Sequence, residues 1–349
     1  MSPRTAQNAR SGVSERAVQL LADADVIDLH LDVDVPARVY GYRSDVRHPR
    51  ATVARRFFGH TDFPRLREAS FNGVVYDIAT NPFRPAANRL RVTLQNITDA
   101  KSRIALGGAT YCRSARDYVL ARKQGKIGCW LSLQGGNALE HDPSVLETAL
   151  GRDLHRITLV HLTHSTLGGT SSPIGRDRGL TPHGRAFIAR CHEQRILVDL
   201  AHAGKSTFWQ ALDALPTDTP PIVSHTGVAG VHPHWRNIDD AQIVALADRG
   251  GVVGILYHSA FLGPVGVFGR VARSKILEHI EHVIRIGGEH TAAIGTDYDG
   301  AIIPPHDLPD ITDHPILIQD MLDRGWSEIR IRNVLGLNYL RVATQVRPE

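Results

Sequence analysis

Eight short apolar runs rich in β-branched residues recur along the chain, at 26–33, 72–79, 127–133, 157–163, 196–201, 221–224, 252–257 and 292–295. Nearly every gap between them is long enough for a helix. That spacing excludes hairpins and calls for parallel strands joined by helical crossovers. Helical periodicity falls at 92–122, 144–152, 182–194, 205–215, 239–249 and 273–286, with two more helices expected at 314–324 and 328–335. Thr181-Pro182 supplies a capping hydroxyl and a proline at a helix start, while Gly250-Gly251 and Gly287-Gly288 end others. Alternating units would also suit an open doubly wound sheet. Eight strands with no glycine-rich phosphate loop after the first favour closure, so the expected fold is an α/β class (β/α)8 TIM-like barrel with extra C-terminal helices. All 349 residues are expected to form one such domain, with its core at about 26–342.

Barrel active sites sit at the C-terminal ends of the strands, and metal-capable or acidic residues gather there. The first run ends in His30-Leu31-Asp32, where residues two apart on a strand face the same way. The third ends in Gln134-Gly135-Gly136, the fourth in His161-Leu162-Thr163-His164, the fifth in His202, the sixth in His225 and the eighth in Asp297-Tyr298-Asp299. With 19 histidines in the chain, any one of these has an ordinary structural explanation. Together they make a converging nitrogen and oxygen shell suited to zinc or a similar divalent ion. Tyr257, at the end of the seventh run, either lines the pocket and binds substrate or is a core tyrosine.

These motifs resemble the membrane (renal) dipeptidase family of zinc metallopeptidases, among the amidohydrolase-like barrels, from about Val26 to Val342. The match runs through Asp28-Leu29-His30-Leu31-Asp32, Leu162-Thr163-His164, Gly179-Leu180-Thr181-Pro182-His183-Gly184-Arg185, Val198-Asp199-Leu200-Ala201-His202, Val223-Ser224-His225, Arg236-Asn237 and Gly295-Thr296-Asp297-Tyr298-Asp299-Gly300. The resemblance implies that His30 and Asp32 hold one metal, His202 and His225 a second, and that Asp297 is the catalytic acid/base. It implies that His164 polarises the scissile carbonyl and binds substrate, and that Arg236 clamps the substrate carboxylate. A dipeptide or dipeptide-like small-molecule substrate and a homodimer follow from the same resemblance. One letter departs from the pattern. The family's bridging glutamate is Gln134, a neutral amide that brings no charge to offset two dications. Three outcomes stay open: an enzyme with one zinc, or two held weakly; an enzyme retuned for another amide, a lactam or an ester; or a metal-poor homologue that binds a ligand without turnover.

A net charge of +4 is spread along the chain, which argues against nucleic acid as a partner. One local excess lies at 36–67, where Arg38, Arg43, Arg47, Arg50, Arg55, Arg56, Arg65 and Arg67 face only Asp45 and Asp62. This Arg-rich insertion reads as a solvated loop, or as a mouth that attracts an anion or a partner subunit. Cys112, Cys129 and Cys191 are too few and too scattered for a disulfide framework. The N-terminus has no secretory apolar core and no run approaches the roughly 20 apolar residues of a membrane span, so a cytoplasmic protein with no membrane partner is expected.

Overall fold

The computed structural model describes residues 12–50, 56–81, 83–163 and 165–349. Nine parallel strands are present: β1 Ile27–Leu31, β2 Gly73–Ala79, β3 Thr110–Cys112, β4 Gly128–Gln134, β5 Leu154–Thr158, β6 Leu197–Asp199, β7 Ile222–Thr226, β8 Val252–Ile255 and β9 Ala292–Ile294. Eight form the path β1-β2-β4-β5-β6-β7-β8-β9, and β3 lies off it against β4. Hydrogen bonds from Asp32 N to Tyr298 O (3.0 Å) and from Asp297 N to His30 O (3.1 Å) join the end of β1 to the chain after β9. The sheet is thereby a nearly closed (β/α)8 barrel, and the bonds that close it fall within the His30–Asp32 and Asp297 motifs themselves.

The expected helix at 92–122 is in fact two helices, Ala86–Leu106 and Ala115–Lys123, with β3 between them. β3 covers Gly128–Trp130 of β4, while β5 takes over from Leu131, so three residues suffice to complete the exposed half of that edge. Ser114 starts the second helix with a reciprocal capping box to Asp117. The segment 144–152 forms two short 3-10 turns instead of the expected helix. β5 begins three residues earlier than expected and ends at Thr158, which leaves His161 on the loop beyond it.

The barrel floor is apolar. Ile27, Leu29, Val75, Trp130, Leu197, Ile222, Val252 and Ala293 pack there with Tyr339 and Val342 of the C-terminal helix Asn338–Val346. Burying a side chain of this size contributes roughly 1.5–3 kcal/mol each. Higher in the barrel the lining turns polar. Arg156, fully buried, donates to Ser132 Oγ (3.0 Å) and Asp77 Oδ1 (3.2 Å), and its Nε lies 3.5 Å from Asp199 Oδ2. A buried cation between two buried acids is a rigid shelf, because leaving any member unpaired costs several kcal/mol.

The Arg-rich segment is not a uniformly solvated loop. Arg65 is fully buried and pairs with Asp62 (2.7 Å) and Asp310 (3.3 Å). Arg38 pairs with Asp34, Arg47 with Glu68 and Arg50 with Asp313, acids that lie outside the segment or at its margin. Arg55 lies outside the described residues. Asp299 ties this segment to the barrel top by accepting from His60 N (2.9 Å) and from the Thr61 hydroxyl (2.7 Å). Among the described residues no helix is long and apolar enough to cross a membrane.

Candidate metal centre

β1 delivers His30 and, one residue beyond its end, Asp32; their Nε2 and Oδ2 lie 3.2 Å apart. β4 delivers Gln134, β7 delivers His225, and the turn after β6 delivers His202. Gln134 Nε2 stands 3.2 Å from His30 Nε2 and 3.3 Å from the Nε2 atoms of both His202 and His225. The last two nitrogens are 2.9 Å apart. Asp297 Oδ1 lies 3.8 Å from His30 Nε2. Three imidazoles drawn from residues 30 to 225 thus gather around Gln134, with Asp32 against His30 and Asp297 beside them.

Two of these residues adopt backbone conformations that side chains avoid: His202 has φ +64° and Asp297 has φ +60°. Such strain persists where the surroundings over-determine it, and it clusters at working sites. Gly300 lies against the two acids; a Cβ there would overlap Asp297 Oδ1 and Asp32 Oδ2.

The electrostatics suit a cation. Burial holds His202 and His225 neutral by pushing both well below the ordinary imidazole value. Ser224 donates its hydroxyl to Asp199 (2.6 Å), so its oxygen accepts from His225 Nδ1 (2.8 Å) and leaves the Nε2 lone pair of His225 facing the centre. Burial works against charge on His30, yet Asp77 and Asp32 outweigh it and lift the ring to about 9. Arg156 Nη2 can only donate, so His30 Nδ1 accepts from it (2.8 Å), and the proton that a cation would displace faces Asp32 Oδ2 from Nε2 (3.2 Å). Burial pushes Asp297 well above the usual carboxylate range, and Asp32 adds to this; Asp32 itself is shifted down by His30. The two acids therefore share one proton in the metal-free state.

The donor set fits a divalent ion. Two donors bound tetrahedrally at 2.0–2.1 Å stand about 3.3 Å apart, and here His202 and His225 Nε2 are 2.9 Å apart and His30 Nε2 is 3.2 Å from Asp32 Oδ2. Asp32 Oδ1 is buried with no hydrogen-bond partner among the described residues, which is costly unless a cation satisfies it.

The centre forms the floor of a cavity of about 620 Å³. Arg236 reaches it from beyond β7, with its Nη2 donating to His225 O (2.8 Å); burial lowers its guanidinium to about 10. His161 lines the cavity edge-on to His202 (ring centroids 4.7 Å), and burial lowers it to about 4. His164 lies outside the described residues. Tyr257 corrects an expectation. It is fully buried, packs on the Tyr298 ring at 5.5 Å and does not line the cavity, because the chain turns there and presents His258 instead. Phe83, Trp235 and Phe261 also line the cavity, and the one signal for them in the sequence is their position in the segments that follow strand ends.

The sequence profile of the membrane dipeptidases, peptidase family M19, matches residues 14–348. The chain belongs to this family. It is a metallopeptidase of the membrane dipeptidase type, and the family implies a divalent metal. Three solved structures share the barrel. An amidohydrolase from Pseudomonas aeruginosa aligns with TM-score 0.77 and 24% identity over 95% of this chain and 99% of its own. An M19 metallopeptidase, dipeptidase AC, gives 0.82 and 22% over 93% and 99%. A Rhodobacter sphaeroides metallopeptidase, solved with a phosphinate mimic of the dipeptide L-Ala-D-Ala, gives 0.80 and 22% over 93% and 99%.

Proposed function

We propose that this membrane dipeptidase family member hydrolyses the amide bond of a dipeptide or dipeptide-like small molecule that carries a free carboxylate. The observation that carries the reading is the meeting of His30, His202 and His225 Nε2 around residue 134, with Asp32 and Asp297 alongside. His30 with Asp32 on one side of Gln134, and His202 with His225 on the other, would hold metal, with zinc the best match to this nitrogen and oxygen set; Gln134 would add at most a neutral oxygen. When bound, the ion supplies Lewis acidity that brings a water's pKa toward neutrality.

The chain's own residues do the rest. Asp297 takes a proton from the attacking water and returns it to the leaving nitrogen, a task suited to a carboxyl whose pKa is raised. Arg236 meets the substrate carboxylate through its guanidinium fork. A neutral imidazole N–H stabilises the oxyanion. His161 is supported in that role by its place on the cavity wall, and His164 by its motif. Alanine replacement of each separates them, since the one in contact loses kcat.

Asp32 and Asp297 balance one dication and leave a second uncompensated, so we assign one firmly held ion. The test is metal analysis of protein purified without chelator, followed by turnover of a panel of dipeptides and N-acyl amino acids with zinc, manganese or cobalt. Absence of both bound metal and hydrolysis would sink the proposal.

A further inference from the structure

We infer that the acyl half of the substrate carries no free amine, so that the preferred substrates are N-acyl amino acids or amino-blocked dipeptides with an apolar acyl group. The inference rests on the hydrolase reading above and narrows its substrate class. In the strand order, β2 and β7 stand four places apart in a ring of eight and hence on opposite sides of the barrel. Arg236 follows β7, so a substrate whose carboxylate meets Arg236 sends its acyl half toward the segments after β1 and β2. The helix Asp34–Tyr40 after β1 presents Val35 and Val39 to the cavity, and the end of β2 with the chain beyond it presents Ala79, Phe83 and Arg84.

An ammonium group there would find no anionic partner. Among the described residues Asp32 and Asp297 are the only acids that line the cavity, and both belong to the metal centre. The undescribed positions 1–11, 51–55, 82 and 164 contain no Asp or Glu. Arg38 is already paired with Asp34, while Arg84 has no ion pair among the described residues. A bound dication makes the field more positive still, and Gln134 removes the one further negative charge that the family pattern would place at the floor. Desolvating a substrate ammonium against two guanidinium groups is unfavourable. An alkyl or aryl group, by contrast, meets a ready surface: Phe83 is 81% exposed, Val39 70% and Trp235 42%, all at this mouth. Exposed apolar residues gathered around a cavity mark a binding surface. A cavity of about 620 Å³ also leaves room beyond a small dipeptide.

Leu-Ala and 4-methylpentanoyl-alanine differ only by the amine, which makes them a matched pair. The zinc-supplemented full-length protein is titrated with each, using both alanine enantiomers, and kcat/KM is measured alongside. Hydrolysis breaks the acyl C–N bond, joins water oxygen to the acyl carbon and leaves the proton on the departing amine, so both compounds report the same step. We expect the acyl compound to be favoured at least tenfold in Kd and in kcat/KM. Arg84→Glu, at a partly exposed position outside the catalytic machinery, should move the ratio at least fivefold toward Leu-Ala. Equal or better use of Leu-Ala, no binding of either compound, or an unmoved ratio in the variant would overturn the inference. Cleavage of Leu-Ala in its favour would leave the hydrolase reading intact, whereas tight binding of the acyl compound without cleavage would do the reverse.

Discussion

Replacing Gln134 by Glu puts a carboxylate at the point where three imidazoles converge, 3.2–3.3 Å from each Nε2. Two unit charges about 4 Å apart interact by about 4 kcal/mol at an effective dielectric of 20. In the metal-free protein the new charge meets the His30 imidazolium on one side and the Asp32–Asp297 pair, which shares one proton, on the other, so the two contributions oppose. With metal present the same charge offsets a second dication. Attraction of about 3–4 kcal/mol corresponds to two to three decades in affinity. Calorimetric zinc titration near pH 7.5, with elemental analysis, should show stoichiometry rising from one toward two and the weaker site tightening at least a hundredfold. Dipeptide or acyl-amino-acid turnover should rise with it. Unchanged stoichiometry and affinity would refute the charge argument and place the wild type's metal elsewhere.

Asp297→Asn keeps the side-chain shape but removes the proton carrier. It should lower kcat by roughly 10²–10⁴-fold while leaving the melting temperature equal or higher, and near-normal turnover would assign the acid/base role to another group. Gly300→Ala drives a methyl group against both Asp297 and Asp32; metal affinity and kcat should fall together, with circular dichroism preserved. His314 is buried, has no hydrogen-bond partner for either ring nitrogen among the described residues, and is lowered by burial to about 3. The unfolded chain takes up that proton near pH 6.5 and the folded chain does not, so the stability this histidine permits is complete above about pH 6.5 and is lost as pH falls toward 3. The slope is at most about 1.4 kcal/mol per pH unit. Urea midpoints of wild type and His314→Leu between pH 4 and 7 should show a shallower acid slope in the variant, and identical slopes would remove His314 from the acid sensitivity.

Periodicity and punctuation are legible in the residues before any folding is considered. Eight apolar runs spaced for crossover helices call for a parallel barrel, the rule that barrel sites lie at strand ends singled out His30, Asp32, Gln134, His202, His225 and Asp297 before any contact was visible, and the family resemblance added Arg236. All of them meet at or beside the cavity floor. The three residues of β3 escaped notice because a strand so short has no period of its own, and its place is fixed by the open edge of β4.

Tertiary structure alone decided how side chains behave once the sheet closes. Tyr257 turned into the core and His258 into the cavity because direction at a strand end depends on the turn that follows. Arg65 was buried because Asp310, 245 positions away, arrives to pair with it. The convergence on Gln134 belongs to the same class: bonds between residues 30–32 and 297–298 close the ring, and only closure brings the imidazoles of His30, His202 and His225 around it. Local patterns fix what a segment becomes, whereas long-range packing fixes which atoms it meets.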